Sequence, residues 1–144
     1  APGQLDGTGT VAMRLAGELL ALIDAAAAPL AAKHETEIVD LDARIKEHGE
    51  RGSGKKQLED RHKRELRRHR TDELRSGLAT LASVYRDQAL ASTKPGSGHF
   101  DIERCADAVA QIHRALETME RNPNERLLLE SLLWSLPDAT EAAA

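Results

Sequence analysis

The chain has 144 residues, which is enough for one domain to bury a substantial core without disulfides or metals. Its formal net charge is −4, and it has one cysteine and one residue each of Trp, Tyr and Phe. These counts exclude a disulfide framework, a cysteine-ligated zinc site and a globally basic nucleic-acid-binding protein. The abundance of Ala, Leu, Glu and Arg favours an all-α protein.

Residues 10–28 predict an amphipathic helix whose apolar side chains recur on one face. Pro29 should kink this helix or start the next one within its first turn. The apolar stretch 15–32 is interrupted by Glu18 and Asp24, so we expect no targeting segment, no membrane contact and a cytoplasmic location. The opening Ala-Pro-Gly suggests a domain excised from a longer protein.

Residues 30–72 predict an antiparallel hairpin of two charged helices. Residues 33–50 carry six acidic and three basic side chains, residues 55–70 carry eight basic and three acidic ones, and a glycine-rich turn separates them. A register in which paired residue numbers add to about 103 would align an apolar seam, as an antiparallel coiled coil requires. It would also form four charge pairs: Glu35–Arg68, Asp40–Lys63, Asp42–Arg61 and Glu47–Lys56.

Two features of this hairpin resemble ligand sites, but a turn and the packing of the helices explain them better. Residues 49–56 nearly match GxxxxGK[ST], but Lys56 replaces the hydroxyl that would bind magnesium, and a charged helix precedes the glycines. His34 would face His69, yet two histidines without carboxylate support make a weak metal site. No local pattern indicates nucleophilic or acid–base catalysis. We therefore expect no cofactor, no metal and no enzymatic activity.

The remaining helices are marked by apolar spacing and by breaker residues. The helix 55–90 should change from basic to apolar at 71–72 and return to a helical body, and residues 92–98 form a loop. Asp101 is the candidate N-cap of a helix with a buried Cys105. Asn122 is the candidate N-cap of the last helix, which Pro137 should end. The tail 137–144 should be frayed.

The last helix is apolar on most of its circumference, so it is either deeply buried or shared with a neighbouring subunit. Several segments are similar to one protein family, and their order adds to the similarity. They are residues 57–64 (QLEDRHKR), 78–87 (LATLASVYRD), 105–109 (CADAV) and 122–124 (NPN), with the leucines that follow. Over about 30–137 the chain resembles the C-terminal part of bacterial DNA polymerase III delta-prime clamp-loader subunits.

The resemblance implies a single helical, collar-like domain over 1–144, with the hairpin as a projecting arm. Such a domain would serve DNA replication by packing against the gamma/tau and delta subunits. The zinc module and the arginine finger of that family have no counterpart here. Tyr85, Arg86, Leu128, Leu132 and Trp134 are the expected interface residues.

An alternative function is nucleic-acid binding through the basic segment 55–70, because cationic side chains on an exposed helix release counterions from phosphates. Against it, the acidic helix neutralises part of the charge and no aromatic residue is present there to stack on bases. The candidate DNA contacts are Lys55, Lys56, Arg61, Lys63, Arg64, Arg67 and Arg68.

Overall fold

The computed structural model describes residues 8–49, 54–93 and 102–137. Within these ranges the chain forms five α-helices and no strand, which confirms the all-α prediction. The helices are α1 (Gly9–Ala26), α2 (Ala28–His48), α3 (Lys55–Ser92), α4 (Ile102–Met119) and α5 (Glu125–Ser135). The predictions for the turn residues 50–53, the loop residues 94–98, the Asp101 cap and the tail 138–144 fall outside the described residues.

The helix ends follow from backbone chemistry. Pro29 lies in the first turn of α2, where its missing N–H is harmless, and Ala27 alone separates α1 from α2. At the other end of α2, Gly49 adopts φ 63°, the left-handed conformation that glycine reaches without steric cost. The sequence therefore predicted the ends of α2 correctly.

The cap of α5 differs from the prediction. Asn124, not Asn122, is the N-cap, and its side chain accepts a hydrogen bond from the backbone N–H of Leu127. Asn122 adopts φ 52° and its N–H bonds to the carbonyl of Met119, so it ends α4 instead. Asparagine suits both positions, since it tolerates the left-handed region and also caps helices. Sequence spacing alone chose the wrong one.

The chain divides into two compact units, Ala21–Glu73 and Ala1–Leu20 with Leu74–Ala144. Helices α1 and α3 contribute residues to both units. The boundary at Leu74 lies close to residues 71–72, where the sequence of α3 changes from basic to apolar. The predicted hairpin 30–72 falls within the first of these units.

The core of the second unit is built around the apolar half of α3. Leu74, Leu78 and Tyr85 are fully buried there, and the Tyr85 hydroxyl donates a hydrogen bond to the carbonyl oxygen of Pro137. Each large apolar side chain buried in this way contributes about 1.5–3 kcal/mol. Other helices complete this core with buried side chains: Ala12, Ala16, Cys105, Ala108, Ile112 and Leu129.

The stretch Gly9–His48 contains an 18-residue window with a mean hydropathy of 1.6, which is long and apolar enough to cross a membrane. Only 11% of that window is buried. One such stretch is weak evidence for a membrane span, because signal sequences and the core helices of soluble proteins have the same length and composition.

Candidate functional site

Polar contacts join α2 and α3 in an antiparallel arrangement. Glu65 accepts a hydrogen bond from His34, Glu37 accepts one from Arg61, and Asp42 accepts two from the Lys55 ammonium. As the residue number on α2 increases, the residue number of its partner on α3 decreases, which is the pattern of antiparallel helices. The N···O distances of these contacts lie between 2.8 and 3.0 Å.

The register of this pair differs from the predicted one. Asp42 meets Lys55 instead of Arg61, and His34 meets Glu65 instead of His69. The partners are shifted by four to six positions, which is between one and two helical turns. Asp42 of α2 pairs with Lys55, the first residue of α3. The residues of α2 that follow Asp42, up to His48, therefore extend beyond the first residue of α3.

Charge alone could not select between the two registers. Acidic residues on α2 and basic residues on α3 recur at nearly every turn, so a shift of about one turn exchanges partners and retains the attraction. Exposed ion pairs contribute at most about 1 kcal/mol each. What distinguishes the observed register is that it stacks the rings of His34 and His62, each 5% exposed, and joins each ring to the glutamate of the other helix.

The buried centre of the pair is a repeated His-x-x-Glu motif, and the sequence interpretation missed it. Helix α2 carries His34 and Glu37, α3 carries His62 and Glu65, and each histidine bonds to the glutamate of the other helix. Both Nε2···Oε2 distances are 2.8 Å. The two imidazole rings stack with centroids 3.9 Å apart and an interplanar angle of 8°. The equal spacing on both helices was visible in the sequence and is the signal that could have revealed it.

The hydrogen bonds lower the pKa values of the two glutamates at this centre. The bond from His62 is the main cause that lowers the pKa of Glu37, with a further contribution from Arg61. The bond from His34 likewise lowers the pKa of Glu65. A carboxylate acceptor requires that each Nε2 carries the proton, and the Nδ1 atoms of both rings are buried without a hydrogen-bond partner. The centre is therefore specific in geometry but incompletely satisfied.

This centre does not have the geometry of a metal site. In the described part of the chain no three His, Cys, Asp or Glu side chains are arranged to hold a metal ion. His34 stacks on His62 and does not share a position with His69 as the predicted register had it. The glycine turn that resembles a phosphate loop includes residues 50–53, which lie outside the described ranges.

The eight lysines and arginines of residues 55–70 on α3 divide into two sets. Four are used within the hairpin unit: Lys55 binds Asp42, Arg61 binds Glu37 and Glu65, Arg68 binds Asp72, and Arg70 binds Asp24. The other four are exposed and make no salt bridge with a described residue: Lys56, Lys63, Arg64 and Arg67. The predicted DNA-contact residues are thus split between internal pairs and an open surface.

Helix α5 has a buried face and an exposed face. Leu129, Leu132 and Leu133 are buried at a helical spacing, and Leu136, the residue that caps the C-terminal end of α5, is buried beside them in sequence. Leu127 and Trp134 are 63% and 64% exposed. They are seven residues apart, so they lie on the same side of the helix, two turns from each other.

The structure separates the predicted interface residues. Trp134 and Arg86 are exposed, and Leu128 is half-buried. Tyr85 is fully buried and Leu132 is 5% exposed, so these two are core residues and not surface contacts. An apolar helical spacing does not distinguish a core position from an interface position, which explains why the sequence grouped them.

Comparison of the chain with protein-family models, with curated proteins and with solved structures gives no match. The function of the chain is therefore inferred from the geometry of α5 and of the α2–α3 pair.

Proposed function

We propose that this chain is a non-catalytic subunit-assembly domain of the bacterial replicative clamp loader, equivalent to the C-terminal region of the delta-prime subunit. In this proposal it packs helices against the gamma/tau and delta subunits in the cytoplasm. The observation that carries it is the exposed apolar side of α5, with Leu127 and Trp134 each more than 60% exposed. The sequence resemblance adds the identity of the partners.

The chemistry of that side suits a protein partner. A single exposed leucine is ordinary on a protein surface, but an exposed tryptophan aligned with a leucine on one helix face is a feature of interfaces. Trp134 also lies against the backbone of Gly9, where a Cβ atom would come within 3.9 Å of the indole ring. One side of the ring is thus supported by the domain, while the rest is available to a partner as an anchor.

The proposed role of the α2–α3 pair is that of an antiparallel coiled-coil arm. Its His–Glu contacts and stacked rings distinguish the register of the two helices, and the exposed charge pairs add at most about 1 kcal/mol each. The unit has no group of described residues that suggests a reaction, so its contribution to the assembly is geometric. The collar-like arrangement of the whole domain belongs to the same proposal.

The test is the binding of gamma/tau and delta to variants of the exposed α5 face. Trp134→Glu and Leu127→Glu should each weaken co-purification of these subunits by about tenfold or more, as loss of a buried interface anchor does. Val39→Glu is the matched control, because Val39 is 61% exposed and lies on α2. Circular dichroism should show the same helix content in all three variants.

Two outcomes would contradict the assignment. If the parent chain does not bind gamma/tau or delta at all, the proposed partners are wrong. If the parent binds and the α5 variants bind equally well, the assembly surface lies elsewhere.

A further inference from the structure

Four exposed basic residues of α3 lie outside the surface of α5 that is proposed above to bind other subunits. Lys56, Lys63 and Arg67 are separated by seven and four residues, so they fall on one stripe of the helix, and Arg64 lies beside it. We call these four residues the basic strip. All four are exposed, and none forms a salt bridge with a described residue.

The neighbouring carboxylates leave the strip positive. Glu37 and Asp42 of α2 are bound to Arg61 and Lys55, which lie outside the strip. On α3 itself, Asp60 is the acidic residue on the same stripe, and it is half-buried. Glu59 also lies beside the stripe, three residues from Lys56 and four from Lys63, and Asp40 of α2 lines one cleft with Arg64. The four cations therefore outnumber these three carboxylates, and the surface keeps a net positive charge.

We propose that the basic strip binds the phosphodiester backbone of a nucleic-acid duplex without reading its sequence. The rise of 1.5 Å per residue places the cations of the stripe about 6 and 10 Å apart, over a length of about 16 Å. Duplex DNA carries one phosphate charge per about 1.7 Å of axis, so a straight helix with this spacing can approach several phosphates together.

The composition of the strip favours a nucleic acid over other anionic partners. A stable protein interface has an apolar centre, and a membrane-surface helix has apolar residues beside its cations. The strip contains only charged residues. The absence of an aromatic residue also favours contact with a duplex backbone over stacking on the bases of a single strand.

The strip is tested by fluorescence anisotropy of a labelled DNA duplex with the full chain at several salt concentrations. Contact with three or four phosphates predicts that log Kobs falls with log[salt] with a slope of about −2.7 to −3.6. Replacement of the four strip residues by glutamine should weaken binding by tenfold or more at low salt. The control removes the same charge elsewhere, by glutamine at Lys33, Lys46, Arg114 and Arg121, and should change affinity less than about threefold.

A single substitution provides a second measurement that does not depend on the fourfold variant folding. Asp60→Asn removes the carboxylate of the stripe and should strengthen duplex binding and steepen the salt dependence. The proposal is overturned if the strip variant and the control lose equal affinity, or if Asp60→Asn has no effect. It is also overturned if polyglutamate or anionic vesicles bind the strip as tightly as the duplex does, since the partner would then be an acidic protein or a membrane.

Discussion

Two leucines of α5 allow the buried and exposed faces of that helix to be compared, by making the same leucine-to-alanine replacement at each position. Leu129 is 0% exposed and Leu127 is 63% exposed, and both lie within the same eleven-residue helix. Replacement by alanine changes little in helix propensity, so packing is the main difference between the two variants. Leu129→Ala should reduce the free energy of unfolding by about 2–5 kcal/mol, from lost burial and the cavity left behind. Leu127→Ala should change it by less than about 0.5 kcal/mol.

Urea unfolding followed by circular dichroism measures both values at pH 7. A total stability of about 5–15 kcal/mol is usual for a domain, so the Leu129 variant should show a clearly lower midpoint. The measurement should be repeated at several protein concentrations. If Leu127→Ala costs as much as Leu129→Ala at every concentration, Leu127 is covered by the chain itself, and the assignment of α5 to two faces is wrong.

Two further predictions concern the α2–α3 pair. The first uses a chain in which Cys105 is replaced by alanine. Cysteines introduced at Asp42 and Lys55 should be cross-linked by a short bismaleimide, whereas cysteines at Asp42 and Arg61 should react much less. The opposite result would support the register predicted from the sequence. The lowered pKa of Glu65 implies stability that is present above its ordinary pKa of 4.5 and is lost as the pH falls through the lower folded-state pKa. Glu65→Gln should therefore flatten the decline of unfolding free energy as the pH falls below the ordinary carboxyl pKa of 4.5. An unchanged acid limb in urea titrations would contradict the hydrogen bond.

The two proposed binding surfaces differ in chemistry. The α5 surface is apolar and contains one aromatic anchor, whereas the basic strip of α3 is fully charged. Apolar contacts are insensitive to moderate salt, while phosphate contacts weaken steeply with it. Subunit binding that persists at a salt concentration where duplex binding is lost would show that the two surfaces act independently.

The sequence predicted the helical elements well because their signals are local. Pro29, Gly49 and the apolar spacing of α4 and α5 each depend on a few neighbouring residues. The cap of α5 was misplaced by two residues, since Asn122 and Asn124 both satisfy the local rules. Local chemistry thus fixes that a helix starts there, and the chain path fixes which asparagine caps it.

The candidate surfaces were less predictable. Tyr85 and Trp134 are both aromatic residues on apolar helix faces, yet one is fully buried and the other is 64% exposed. Helical spacing gives the direction in which each side chain points along its own helix, but it does not tell whether another helix lies there. The sequence placed both residues at the interface, and only the packed helices separate the exposed Trp134 from the buried Tyr85.

The amino-acid sequence by itself determined the all-α class, the helix boundaries near breaker residues and the opposite charges of α2 and α3, because propensity, capping and net charge are properties of short segments. The tertiary structure decided the register of α2 and α3 and the side chains that remain exposed. A shift of about one turn still brings opposite charges together, whereas the observed register stacks His34 on His62 and joins each ring to the glutamate of the other helix. The repeated His-x-x-Glu spacing is visible in the sequence, but the two copies are far apart in the chain, and only the packed helices show that their faces meet.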